Sequence, residues 1–170
     1  MKTKLALSLL ACGLILTGCG KKEEAAAQAS AATAAAPAAP AASAVLTVEI
    51  TANDTMKFNL TRIEAKAGQE IKVILTNIGS MPKAAMGHNW VLLAKGADVK
   101  AFVNAAVTAA ATDYVPASQA DKVIAHTKLL GPKQSDEITF KAPTEPGEYE
   151  FICSFPAHFL SGMKGVLVVK

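Results

Sequence analysis

The 170-residue chain has little of what marks several common classes. Charge is sparse and nearly balanced, 18% of residues with a net of +3. From residue 45 onward thirteen Lys and Arg face twelve Asp and Glu, because four lysines and two glutamates precede that point. No basic surface for nucleic acid follows from such a balance. The apolar stretch 5–16 is too short for a bilayer-spanning helix. Aromatic residues make up 5%, with a single tryptophan, Trp90, read as a core residue. There are three cysteines, and two of them, Cys12 and Cys19, fall at the start of the chain. Cys153 therefore stands alone in the remainder, and no disulfide can brace that part.

The N-terminus has the layout of a secretory signal: Lys2 and Lys4, the apolar stretch, then Leu16-Thr17-Gly18-Cys19. Leu-x-Gly-Cys resembles the bacterial lipobox, which implies a signal over 1–18 and acylation of Cys19. Gly20, rather than Asp, follows the cysteine and by the usual bacterial sorting pattern points to the outer membrane. Residues 19–44 are nearly all small, rich in Ala with Pro37 and Pro40, and offer no large apolar side chain to a core. They read as a tether, spanning about 25–30 Å as a coil and roughly 75 Å if extended like polyproline.

Residues 45–170 are enough for one domain with its own core. Short alternating or β-branched runs recur at 45–51, 57–60, 62–66, 70–76, 89–93, 136–141, 148–153 and 164–170, separated by Gly, Pro and Asn. That pattern predicts an all-β, antiparallel sandwich. The Ala-rich stretch 97–111 breaks it and predicts one short helical insertion. Alternation in 148–153 puts Tyr149, Phe151 and Cys153 on the inward face.

The run Cys153-Ser154-Phe155-Pro156-Ala157-His158-Phe159-Leu160-Ser161-Gly162-Met163 supplies a thiolate, an imidazole and a thioether within eleven residues. These soft and borderline donors suit both Cu(I) and Cu(II), and His₂Cys with a weak thioether is the blue-copper set. His88, in Met86-Gly87-His88-Asn89-Trp90, is the candidate second imidazole. An unpaired cysteine in an exported domain calls for an explanation. Taken alone, Cys153 reads as a buried core thiol and Met163 as a core side chain; with both histidines, ligation becomes the better reading.

Residues 86–92, 123–129, 153–158 and 163–165 together resemble the motifs of azurins, and the resemblance covers almost the whole domain. It implies a Greek-key cupredoxin sandwich with one type 1 copper, carrying single electrons and catalysing no reaction. By position it implies His88 Nδ1, Cys153 Sγ and His158 Nδ1 around the metal, with the Met163 thioether and the Gly87 carbonyl as weak axial donors. Asn89 would tie the two ligand segments together near Ser154. The chain departs from the family in three ways: four residues, not three, separate His158 from Met163, as in auracyanin and rusticyanin; the usual disulfide is absent; and Asn77 stands where some azurins have a buried histidine.

The leading functional expectation is a membrane-tethered electron shuttle in the cell envelope, with the domain in the periplasm or at the surface. His158 would present an imidazole edge through an apolar docking patch of Met81, Met86, Phe155, Pro156, Phe159 and Leu160. Met81 and Met86 are read as patch residues rather than ligands, and His126 as a surface imidazole away from it. The family implies c-type cytochromes, copper nitrite reductase or peroxidase as partners, met by a monomer in transient complexes. Two alternatives are a periplasmic lipoprotein that captures or delivers copper, and a Cys-His nucleophilic enzyme built on Cys153 and His158. The enzyme would need a third orienting group and an open cleft.

Overall fold

A computed structural model describes residues 44–170. The leader, Cys19 and the tether up to residue 43 lie outside the described residues; among the described residues no helix is long and apolar enough to cross a membrane.

Among the described residues, nine strands form two sheets. The first orders β2 (Lys57–Phe58), β1 (Leu46–Asn53), β4 (Glu70–Asn77) and β7 (Ser135–Lys141); the second orders β3 (Arg62–Ala65), β9 (Lys164–Val169), β8 (Gly147–Ile152), β5 (Val91–Leu93) and β6 (Val123–His126). The expected sandwich is present, but it is not wholly antiparallel. β1 runs parallel to β4, and β3 parallel to β9. The chain leaves the first sheet to lay down β3 in the second and returns as β4, so β4 re-enters beside β1 in the same direction. A reading of local alternation carries no information on such crossings.

Period-two patterning builds the core. Ile71, Val73 and Leu75 of β4 are fully buried, as is Phe151 of β8, with Tyr149 nearly so. Trp90 lies between Phe151 and Phe140, ring centroids 5.4 and 5.9 Å away. Each large side chain withdrawn from water in this way contributes about 1.5–3 kcal/mol. Ile152 points the other way and joins Val91, Leu93 and Phe102 in a second cluster.

Phe102 belongs to α2 (Val99–Ala106), which covers the outer face of β5 and β8. Asp98 caps it by accepting the Ala101 N–H at 3.0 Å. The expected insertion over 97–111 is thus helical only in its first part. Ala109–Ala111 pass into a single 3₁₀ turn, Ala110–Thr112, which closes where Asp113 takes a left-handed conformation. A further short helix, α1 (Lys83–Met86), precedes Gly87 and was not legible in the sequence pattern.

Candidate metal centre

β8 ends at Ile152, and the Cys153 N–H prolongs its pairing by donating to the Met163 carbonyl at 3.1 Å. Between them the chain makes a tight excursion. The His158 N–H donates to the Phe155 carbonyl at 3.1 Å, with Pro156 second and Ala157 third at φ 71°. Pro followed by a residue of positive φ is a type II turn signature, and that third position favours glycine. The loop then folds back as the Met163 N–H donates to the His158 carbonyl at 3.0 Å. The Lys57 ammonium, from the opposite sheet, donates to the Ser161 carbonyl.

His88 enters from a separate segment, fixed by a two-way backbone bridge to Leu130 at 3.1 and 2.8 Å. A side chain on Gly87 would come within 2.7 Å of the Lys83 carbonyl and 3.0 Å of Leu129, so only glycine lets the chain pass. Buried Asn77 braces the same region, donating to the Leu130 carbonyl at 3.3 Å and accepting the Gly79 N–H at 2.9 Å. Asn89 links the two segments: its Nδ2 donates to Ser154 Oγ at 2.8 Å, and its Oδ1 accepts the Ser154 N–H at 2.9 Å.

These elements bring three donors together. Cys153 Sγ lies 3.4 Å from His158 Nδ1 and 4.0 Å from His88 Nδ1, and the three residues' ligand atoms all fall within 4.8 Å of one another. Burial pushes the Cys153 thiol up to about 12, opposed by the backbone N–H groups of Asn89 and Phe155. Burial pushes His158 down to about 4, helped by the His88 ring. Burial also lowers His88, while the Asp54 carboxylate and the Asn53 carbonyl pull weakly upward. That carbonyl does not meet hydrogen-bond geometry, and His88 Nε2 is left without a partner.

The pocket thus resists a lone thiolate and a lone imidazolium alike, yet it gathers one thiol and two neutral imidazoles. A first-row metal ion resolves the mismatch by taking the thiolate charge and both nitrogen lone pairs. With bonds of about 2.0–2.3 Å to nitrogen and thiolate, donors spread trigonally around an ion would stand roughly 3.8 Å apart. The observed 3.4 and 4.0 Å bracket that separation. The donor set and its spacing fit a single type 1 copper ion.

Of the other singled-out residues, Met163 is fully buried in the same core cluster as Cys153, and Gly87 is buried beside His88. His126 is exposed on β6, apart from the cluster. Met81 and Leu160 are exposed, Met86, Pro156 and Phe159 half-buried. Two expectations for the patch need correction. Phe155 lies beneath the surface, its ring 4.7 Å from that of His158. His158 itself is only 2% exposed, because the ring packs at a tilt against Phe155 and the loop doubles back on it. The sequence offered no signal for Lys57 or for the bracing role of Asn77, since both act across distant segments.

Comparison with known proteins agrees with this geometry. Residues 44–170 match the plastocyanin/azurin family of copper-binding proteins. The chain is 41% identical to the azurin of Pseudomonas chlororaphis over 127 residues, 72% of this chain and 97% of that one. It is 42% identical to outer membrane protein H.8 of Neisseria meningitidis over 111 residues, 64% of this chain and 60% of that one. Among solved structures, dithionite-reduced auracyanin of Roseiflexus castenholzii superposes with a TM-score of 0.65 at 37% identity, covering 73% of this chain and 96% of that one.

Proposed function

Because the chain belongs to the plastocyanin/azurin family of copper-binding proteins, we propose that His88, Cys153 and His158 hold its copper, with Met163 and the Gly87 carbonyl as weaker donors. The protein is a blue-copper electron carrier, not an enzyme. The observation that carries the ligand assignment is the fully buried Cys153 Sγ facing two Nδ1 atoms at 3.4 and 4.0 Å.

Bound there, copper supplies one-electron exchange between Cu(I) and Cu(II). The residues around it keep the donors still. Cys153 and Met163 are joined by a backbone bond at the end of a sheet, His88 is bridged to Leu130, and Asn89 holds Ser154. A cage that keeps its shape in both oxidation states has little to rearrange when an electron arrives or leaves. Burial of all three donors excludes water and slows metal exchange, which favours electron carriage over copper delivery. It also denies Cys153 the open cleft that a nucleophilic enzyme needs.

The port is the apolar surface around His158, where Met81, Met86, Pro156, Phe159 and Leu160 reach solvent without bearing charge. Such a face suits brief contacts of small area with c-type cytochromes, copper nitrite reductase or a peroxidase. Acylated Cys19 and the Ala/Pro tether would hold the domain at the outer membrane, in the periplasm or at the surface; the likeness to protein H.8 supports this location.

A charge placed in the port tests the reading. Met86→Glu and Phe159→Glu should slow self-exchange and reduction by a c-type cytochrome by at least about tenfold, equivalent to roughly 1.4 kcal/mol in the barrier. The visible spectrum should barely change, and His126→Glu should have much less effect. Equal rates for wild type and both patch variants, at matched ionic strength and potential, would remove this face as the port.

A further inference from the structure

Two consecutive residues just after the insertion, Asp113 and Tyr114, adopt positive φ of 53° and 61°. Neither is glycine, and such conformations are uncommon enough to call for a reason. The turn is firmly made. Asp113 and Tyr114 donate their N–H groups to the Ala110 and Ala109 carbonyls at 3.3 and 2.9 Å, and Thr112 Oγ1 donates to the Val115 carbonyl at 2.8 Å.

Each residue of the turn grips one of the two segments that meet at Cys153. The Asp113 carbonyl accepts from Asn89 Nδ2 at 2.8 Å, and the same amide donates to Ser154 Oγ at 2.8 Å. Both amide hydrogens are thereby used, and the buried Asn89 side chain cannot rotate without losing them. The Asp113 carboxylate also pairs with Lys83 of α1 at 3.6 Å. Tyr114 sets its ring edge-on against Phe155, centroids 4.9 Å apart, and Phe155 in turn packs at a tilt against His158. Asn89 and Phe155 are the two residues whose backbone N–H groups favour a charged sulfur on Cys153.

We propose that the Asp113–Tyr114 turn is a positioning device for the Cys153 sulfur, holding Asn89 through a carbonyl and Phe155 through an aromatic edge. The strained conformation serves that double grip, because the left-handed pair turns the Asp113 carbonyl toward Asn89 while sending the Tyr114 ring toward Phe155. Its consequence for electron transfer rests on the copper assignment above; its consequence for the sulfur does not.

The test uses the full chain with Tyr114→Ala, and Tyr114→Phe as the conservative variant that keeps the ring edge. In copper-free protein, iodoacetamide labelling is followed at the Cys153 peptide by mass spectrometry. Tyr114→Ala should label about three- to tenfold faster, the range that corresponds to loss of one aromatic pair, whereas Tyr114→Phe should match wild type. After addition of Cu(II), Tyr114→Ala should shift the thiolate-to-copper absorption band and the reduction potential, and Tyr114→Phe should restore both. If Tyr114→Ala does not fold, Tyr114→Leu keeps the apolar volume and carries the same expectations. Labelling rates, band and potential all unchanged in Tyr114→Ala would overturn the proposal. A wild type that gives no charge-transfer band would overturn the copper assignment instead, and labelling of the copper-free protein would still decide the role of the turn.

Discussion

The two buried imidazoles should make the copper-free domain sensitive to mild acid. In the unfolded chain His158 titrates near the ordinary 6.5, whereas in the fold burial and the neighbouring His88 hold it down to about 4. Between those values the unfolded state binds a proton that the native state refuses. The imidazole's contribution is therefore complete above pH 6.5 and is lost as pH falls toward 4. At about 1.36 kcal/mol per pH unit the full shift would be worth about 3 kcal/mol. Because the loop sits near solvent, screening reduces this to about 2 kcal/mol. His88 is lowered in the same direction and adds to it. Against a typical domain stability of about 5–15 kcal/mol, the loss should lower the melting temperature by roughly 5–10 °C. Asp54, Glu64 and Asp121, held below their usual values by hydrogen bonds, lose their contribution only at more acid pH than this window. The assay is urea or thermal unfolding of copper-free protein at intervals from pH 7.5 to 4.5, with His158→Asn alongside. His158→Asn should flatten most of the slope. A wild type whose stability does not fall across this range, or a variant that falls equally, would refute the reasoning.

Other outcomes follow from the same structure. Ala157→Gly should stabilise the domain by about 0.5–1 kcal/mol in urea unfolding, because relief of a left-handed alanine outweighs the entropy gained by the unfolded chain; a loss of stability would show that the turn carries no strain. Cys19→Ala should move the protein from the membrane pellet to the soluble periplasmic fraction with its copper spectrum unchanged. Retention in the pellet would mean that another part of the chain binds the membrane.

How much of this could be read in the sequence depended on how local each feature is. Alternation located eight of the nine strands and the inward face of Tyr149 and Phe151, because period-two burial is written in neighbouring residues. It missed β6 as a strand, since its four residues are half-buried or exposed and show no alternation. The parallel pairings depend on how the chain crosses between sheets, and the short α1 lacks room for a helical period. The insertion was visible as a change in composition, but its helix ends early, where the sheet-facing Val99, Phe102, Val103 and Ala106 give way to exposed Val107 and Thr108. Cys153, His158 and Met163 lie close together in the sequence and were legible as a donor set. His88 lies 65 residues before Cys153, and it was paired with them on chemistry and resemblance. The bracing by Asn77, Lys57 and the Asp113–Tyr114 turn joins distant segments through a few long-range contacts and leaves no local pattern. The covering of His158 escaped for the same reason: loop sequence does not reveal how far a loop folds over its own side chain.

Whether Cys153 and the two histidines form a type 1 copper site is decided by adding Cu(II) to the metal-free protein and to Cys153→Ser. Wild type should hold one copper tightly per chain and show an intense visible thiolate-to-copper band. Cys153→Ser should show no such band, while its far-ultraviolet circular dichroism matches wild type. A full-strength band in the variant, or none in a folded wild type saturated with copper, would contradict that assignment.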